Sequence, residues 1–410
     1  MFVISRNFYY RIALFSIFII PLFGLYDFLI SIEVFENMNP THSRINNPYR
    51  HLIVLKDLIS LFILLVFALD FLSTKNISKI SLIILILALY PFFTCDSLGE
   101  IVAGMRQSIA FVYISLGLAI TNYGLKNFNI KHLISRLIWA IKLVLIIELF
   151  MCLLQLLLGG AHDGLTFIGP RVLGSFINPN TISMYALISI VFIHLFSLRI
   201  TSIIPYHIIS IFIILAAGSR GGVLAISFLY FYIFISSFNS TKNKSIATML
   251  CIIILVLLIT NINEITSKPL STSFLNGARI QALFDYISKV DYYSFMTGQG
   301  WGWNTSWYRA IYPVRELNYP ADSFYTSILI QIGPLFASIF MAILAFIFSL
   351  AGKKGIFLLI IFLIIGLQIN ILEFYPIINI LFLSLGLLIG LNQALINQKE
   401  QQGISNNEKP

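Results

Sequence analysis

The chain has 410 residues, of which 58% are hydrophobic and only 10% are charged, and its formal net charge is +9. In soluble domains about a quarter of the residues are charged, so this composition excludes a soluble globular protein and predicts an integral membrane protein. The lysines and arginines lie singly or in pairs between apolar segments. This spacing is typical of topology signals and argues against a nucleic-acid partner.

Apolar segments of membrane-spanning length recur along nearly the whole chain. Only helices and closed barrels satisfy their backbone groups in lipid, and the alternating pattern of a barrel is absent, so the fold class is predicted to be an all-α polytopic bundle. Hydropathy predicts about twelve spans. They cover residues 10–32, 52–72, 77–94, 101–121, 133–158, 176–198, 203–217, 221–238, 246–262, 322–350, 355–371 and 374–394.

The distribution of charge predicts the topology of this bundle. Arg6 and Arg11 stand ahead of a long apolar stretch that has no small-residue cleavage site, which favours a retained first helix over a signal peptide. With the N-terminus in the cytoplasm, every short inner loop carries lysine or arginine, as the positive-inside rule requires. We therefore expect a single membrane domain over 1–395 and a cytoplasmic polar tail over 396–410, whose composition predicts disorder.

One large external loop, residues 263–321, follows the ninth predicted span, and a shorter one covers 159–175. Within the large loop, the spacing of Ile280, Leu283, Phe284 and Ile287 predicts a helix lying on a surface. The stretch that follows is rich in tryptophan, tyrosine, glycine and proline. Its aromatic residues suit either an interfacial belt or stacking on the faces of sugars.

A lone arginine, Arg220, lies in the segment AAGSRGGVLAIS between two apolar runs. A cation beside hydrocarbon is costly unless it has a partner, and arginine binds phosphate oxygens in a bidentate manner. The adjacent glycines allow a helix break, and the helix that begins after them favours an anion at its N-terminus. The alternative is that Arg220 reaches the interface or pairs with a distant carboxylate such as Glu148.

Asp322 lies at the outer end of the tenth predicted span and is the candidate general base. After Pro320 it suits either a helix N-cap or a carboxylate that orients an acceptor hydroxyl. Metal chemistry is not expected, because the chain has no Asp-x-Asp pair and the large loop has no histidine. Arginines can replace a metal ion in stabilising a diphosphate leaving group, so we expect no metal and no soluble cofactor.

Three stretches together resemble the bacterial O-antigen polymerases and the related O-antigen ligases. They are RVLGSFINPNTISMYALISI at 171–190, AAGSRGGVLAISFLYFYI at 216–233, and GQGWGWN followed by ADSFYTSILIQIGPL at 298–304 and 321–335. The resemblance covers residues 171–335, and the motifs occur in the family's order. It implies a GT-C-like glycosyltransferase architecture in the bacterial inner membrane, with both termini cytoplasmic and the active site facing the periplasm.

The resemblance also implies a set of site residues. Arg171, Arg220 and Arg279 would face the diphosphate of an undecaprenyl-linked oligosaccharide, with Arg220 and Asp322 in catalytic roles. A polysaccharide chain-length regulator would be a protein partner. The candidate glycan-binding residues are Trp301, Trp303, Asn178, Asn180, Tyr325, Arg309 and Arg315.

The position of Asp322 favours a polymerase over a ligase. Ligases of this family carry a histidine near this position, whereas this chain has Asp322 followed by Ser323 and no histidine in the loop. A ligase that moves finished glycan to lipid A core or to protein remains the alternative. A lipid-oligosaccharide flippase is the rival from another class, and it predicts charged residues deep within several spans.

Overall fold

The computed structural model is mostly helical, as the apolar composition predicts. It describes residues 6–22, 62, 65, 79–91, 95, 97–126, 129–159, 162–165, 170–176, 178–197, 202–236, 284, 286–303, 305 and 323–407. The helices are α1 (Arg6–Leu22), α2 (Lys79–Leu89), α3 (Leu98–Ser108), α4 (Val112–Lys126), α5 (Ile130–Leu157), α6 (Pro179–Phe196), α7 (Ile204–Ala217), α8 (Arg220–Ser236), α9 (Tyr292–Thr297), α10 (Phe324–Ser349), α11 (Gly352–Gln368) and α12 (Tyr375–Asn407).

Among the described residues, five helical stretches are long and apolar enough to cross a membrane. They are Gly99–Lys126, Ile130–Leu157, Pro179–Phe196, Phe324–Ser349 and Pro376–Gln398. The apolar helices α7 and α8 are shorter. The structure thus supports an all-α membrane protein. The span expected at 246–262 lies outside the described residues, and in the span expected at 52–72 only positions 62 and 65 are described, both helical.

Two local features depart from a simple series of helices. A 3-10 turn, Ile109–Phe111, joins α3 to α4. In the short loop before α6, the strands β1 (His162–Leu165) and β2 (Pro170–Arg171) pair antiparallel, with His162 opposite Arg171. This hairpin was not expected from the sequence, and it places Arg171 on a fixed strand at the entrance to α6.

Small residues allow α12 to approach α4 closely. A Cβ added at Gly117 would lie 2.6 Å from the carbonyl oxygen of Leu383, and one added at Gly386 would overlap the carbonyl oxygen of Ile114. Close backbone contact at small residues is a common way for helices to associate in lipid, where apolar burial alone gives little driving force. The pair therefore forms a tight central contact in the bundle.

Basic residues gather at the end of the bundle where α6 ends and α7 begins. Lys354 Nζ donates to the carbonyl oxygen of Leu195 at 3.3 Å, and Lys142 Nζ donates to that of Ser202 at 3.4 Å. Arg136, six residues before Lys142 on α5, contacts Tyr10 of α1. The loop before α6 and the turn between α7 and α8 lie at the opposite end, where Arg171 and Arg220 are found.

The final helix does not stop where the apolar residues end. It continues to Asn407, through most of the polar tail for which composition predicted disorder. The tail is rich in glutamine, lysine and glutamate between residues 393 and 402, and these residues have high helix propensity. The prediction of disorder is therefore wrong up to Asn407.

Candidate functional site

The turn between α7 and α8 presents Arg220 at the start of a helix. Gly218 ends α7 in the left-handed conformation, with φ 60° and ψ 33°, which glycine adopts without a Cβ penalty. Ser219 then caps α8, because its Oγ accepts a hydrogen bond from the backbone N–H of Gly222 at 3.2 Å. Arg220 is the first residue of α8 and is half-buried.

Arg171 lies against the same turn, although it is distant in sequence. Its Nε donates to the carbonyl oxygen of Ala217 at 3.1 Å, and the N–H of Val172 donates to that of Ala216 at 3.3 Å. Burial lowers the pKa of the Arg171 guanidinium, and the positive charge of Arg220 lowers it further. The hydrogen bonds to Ala216 and Ala217 therefore hold Arg171 beside the turn that carries Arg220, and cations gathered in one region favour an anion there.

The start of α8 also lies directly against α6. A Cβ added at Gly222 would overlap Ser183 Oγ, so the approach leaves no room for a side chain at position 222 while Ser183 keeps its position. Asn178 caps α6, since its Oδ1 accepts hydrogen bonds from the N–H and the Oγ1–H of Thr181, each at 2.9 Å. The N-termini of α6 and α8 therefore lie in the same region as the arginines, and their dipoles also favour negative charge.

The capping role of Asn178 bears on its prediction as a glycan-binding residue. Its side-chain oxygen is committed to the first turn of α6, so Asn178 has a structural function that accounts for its position. Asn180 lies in that first turn and is half-buried.

Two side chains of α5, Glu148 and Gln155, hold the segment that follows Arg171. Gln155 Oε1 accepts from the N–H groups of Leu173 and Gly174, each at 2.8 Å. Glu148 accepts hydrogen bonds from the N–H and the hydroxyl of Ser175. Among the described residues, Glu148 is therefore a partner of Ser175 and not of Arg220. Sequence reasoning left this role unassigned, although the spacing of seven residues puts Glu148 and Gln155 on one helix face.

The segment GQGWGW packs onto a break in α10. Gly333 is non-helical, with φ 69° and ψ 166°, and Pro334 follows it. Because proline has no N–H, the carbonyl of Ile330 loses its helical donor and instead accepts from the N–H of Gln299 at 2.9 Å. The carbonyl of Gln331 accepts from the N–H of Gly300 at 2.9 Å. The glycine-rich motif thus supplies hydrogen-bond donors to the carbonyl groups at the break in α10.

Trp301 and Trp303 are buried in this contact. Trp301 is 2% exposed and Trp303 is 5% exposed. The Nε1 of Trp301 donates to the carbonyl of Gly104 at 3.1 Å and to Ser108 Oγ at 2.7 Å. Protein therefore covers the faces of both rings, and their glycan-binding role stays a prediction. In the structure, both rings take part in the packing of the GQGWGW segment against its neighbours.

The start of α10 is capped by Ser323, whose side chain accepts from the N–H of Thr326 at 3.3 Å. The capping role that the sequence offered for Asp322 thus belongs to the next residue. Tyr325, a candidate glycan-binding residue, donates its hydroxyl to the carbonyl of Leu363 at 2.9 Å and so ties α10 to α11. The predictions for Asp322, Arg279, Arg309 and Arg315 lie outside the described residues.

Within the part of the chain that the structure describes, no group of three or more histidine, cysteine, aspartate or glutamate side chains is arranged to hold a metal ion. The described chemistry of the site is therefore that of two guanidinium groups and two helix N-termini. This arrangement is suited to binding a phosphate-containing anion.

Comparisons with family models, with curated proteins and with solved structures give no match to this chain. The resemblance to the O-antigen polymerases and ligases accordingly remains a proposal that depends on the motifs and on the geometry of the residues within them.

Proposed function

We propose that this chain is a membrane glycosyltransferase of the O-antigen polymerase type. It transfers a growing glycan from undecaprenyl diphosphate to a lipid-linked repeat unit at the periplasmic face of the bacterial inner membrane. It has a GT-C-like architecture of about twelve spans, requires no metal or soluble cofactor, and works with a chain-length regulator. The alternative within the same family is an O-antigen ligase.

The observation that carries this proposal is the proximity of Arg171 and Arg220. They are 49 positions apart in sequence, yet the carbonyl groups that end α7 hold Arg171 beside the turn that carries Arg220. Both belong to motifs on which the family resemblance depends. A pair of half-buried guanidinium groups at the end of a membrane bundle suits the diphosphate of a lipid-linked sugar.

In the proposed reaction, a hydroxyl of the acceptor sugar attacks the anomeric carbon of the donor glycan. The bond from that carbon to the diphosphate oxygen breaks, and undecaprenyl diphosphate leaves with the bonding electrons. Arg171, Arg220 and Arg279 stabilise its negative charge, as preorganised cations do for a leaving group. Asp322 takes the proton of the acceptor hydroxyl. No electrons are exchanged with a cofactor, and the diphosphate linkage supplies the driving force.

The flippase interpretation is less well supported. It predicts charged groups deep within several spans, and Glu148 in α5 is such a group. Its carboxylate, however, accepts hydrogen bonds from Ser175 and so serves the loop before α6. A structural role of this kind gives no reason to assign it to a transport path.

The test is replacement of Arg220 in the native host, followed by electrophoresis of the lipopolysaccharide. Arg220→Ala should abolish the ladder of long chains and leave core with a single repeat unit, because the repeat units are made and ligated but not polymerised. Arg220→Lys should restore activity only in part, since lysine keeps the charge but not the bidentate geometry. Lys131→Ala, an exposed cation at the basic end, is the matched control and should leave the ladder intact.

The outcomes separate the candidates. Core without any repeat unit in the Arg220→Ala strain would indicate the ligase in place of the polymerase. A normal ladder, with the variant present at the wild-type level in the membrane, would refute both glycosyltransferase assignments.

A further inference from the structure

The segment between β2 and α6, residues 172–176, is buried at the end of the bundle that carries the arginines. Val172, Leu173, Ser175 and Phe176 are all buried. A buried loop must find partners for its backbone groups, because water is not available to them. Here several of these partners are side chains of the membrane-spanning helix α5.

Gln155 of α5 supplies three of these hydrogen bonds. Its Oε1 accepts from the N–H groups of Leu173 and Gly174, each at 2.8 Å, and its Nε2 donates to the carbonyl of Gly174 at 3.0 Å. Both functional groups of the amide are thus used on two consecutive residues. This geometry defines both the position and the direction of the segment.

Glu148 lies two turns earlier on the same face of α5 and is fully buried. One carboxylate oxygen accepts from the N–H of Ser175 at 2.9 Å, and the other accepts from the Ser175 hydroxyl. Gly174 makes room for this contact, since its φ is +57° and an added Cβ would lie 2.5 Å from Glu148 Oε2. A larger residue at position 174 would push the segment away from α5.

The held segment begins directly after Arg171. The backbone of Val172 and the guanidinium of Arg171 bond to the last carbonyls of α7, one residue before the turn to Arg220. We propose that Glu148 and Gln155 are positioning residues, which act through the buried loop to hold Arg171 beside Arg220 for the diphosphate of the lipid-linked donor. The identity of the ligand rests on the proposed function, whereas the placement of the loop by Glu148 and Gln155 follows from the hydrogen bonds.

Binding of farnesyl diphosphate, a short-chain polyprenyl diphosphate, tests the proposal by calorimetric titration of the full chain in nanodiscs. Arg171→Ala should weaken binding about tenfold, and Gln155→Ala and Ser175→Ala should weaken it by a similar factor, which corresponds to a coupling of about 1.4 kcal/mol. In the Arg171→Ala background the second substitution should add little, because both act through the same guanidinium. If Gln155→Ala does not fold, Ser175→Ala carries the test.

Ser210→Ala is the matched control. Ser210 is also buried and donates its Oγ–H to the carbonyl of Ala186, between α7 and α6 but away from the loop. It should lower thermal stability as Ser175→Ala does, yet leave binding unchanged. Additive losses in the double variants, or wild-type binding by Ser175→Ala, would overturn the positioning role.

Hydrogen exchange separates this inference from the proposed function. Gln155→Ala should speed exchange of the Leu173 and Gly174 amides even without a ligand. Faster exchange together with a wild type that binds no farnesyl diphosphate would retain the hydrogen-bonded arrangement but refute both the diphosphate site and the positioning role. Unchanged exchange would refute the arrangement itself.

Discussion

Replacing Gly222 with alanine should separate Arg220 from Arg171. Gly222 lies in the first turn of α8, and an added Cβ would overlap Ser183 Oγ and lie 3.1 Å from both Ser183 Cβ and Ile214 Cγ2. The helices must then move apart at this end. Overpacking of a dense core costs about 1–3 kcal/mol, so Gly222→Ala should lower the stability of the purified protein by that amount and weaken farnesyl diphosphate binding.

The structure also predicts how to reverse this effect. Ser183 is fully buried, and its Oγ has no hydrogen-bond partner among the described residues. Ser183→Ala alone should therefore change stability little. In the Gly222→Ala background it removes the overlapping atom and leaves only the 3.1 Å contacts, so most of the lost stability and binding should return.

Thermal denaturation in nanodiscs measures stability, and calorimetric titration measures farnesyl diphosphate binding. Both are applied to the wild type, the Gly222→Ala and Ser183→Ala variants, and the double variant. The close approach of α8 to α6 is refuted if Gly222→Ala melts at the wild-type temperature. It is also refuted if Ser183→Ala fails to improve the Gly222→Ala protein, because the overlapping atom would then lie elsewhere.

Three further predictions concern α9, the GQGWGW segment that follows it, and the break in α10 on which that segment packs. Trp301→Phe removes an N–H that bonds Gly104 and Ser108, so it should destabilise the protein by about 1–3 kcal/mol. The KM for the glycan acceptor should stay unchanged. A raised KM at unchanged stability would instead support stacking of Trp301 on the glycan. Gly333→Ala places a side chain at φ +69° beside the carbonyl of Met296, and it should destabilise by at least about 1 kcal/mol, as measured by the melting temperature; a protein with wild-type stability would contradict the break in α10. Hydrogen bonds from the backbone and side chain of Ser294 lower the pKa of Asp291, so the cap of α9 should be complete above the ordinary value of 3.8 and be lost only as the pH falls through the lower folded-state pKa. Hydrogen exchange of the α9 amides should follow this dependence, and Asp291→Asn should abolish it.

Sequence patterns marked constrained segments of the chain without showing what each segment does. The glycines of GQGWGW marked a constrained segment, yet the rings within it are buried, because Gly333 and Pro334 break α10 and leave carbonyls that the segment must satisfy. A pattern of aromatic and glycine residues does not distinguish a packed turn from a sugar-binding surface. The difference depends on a helix break about thirty residues later in the chain, which is a tertiary relation.

Hydropathy and charge alone determined that this chain is a helical membrane protein, since length and apolarity decide which segments enter lipid. They also singled out Arg220, because a cation between two apolar runs is recognisable from the sequence alone. Only the tertiary structure brought Arg171 to the same turn and gave Glu148 a partner in Ser175. Those contacts join α5, the loop before α6, and the end of α7. Contacts between residues far apart in the chain produce no periodic pattern in the sequence, so the sequence alone does not reveal them.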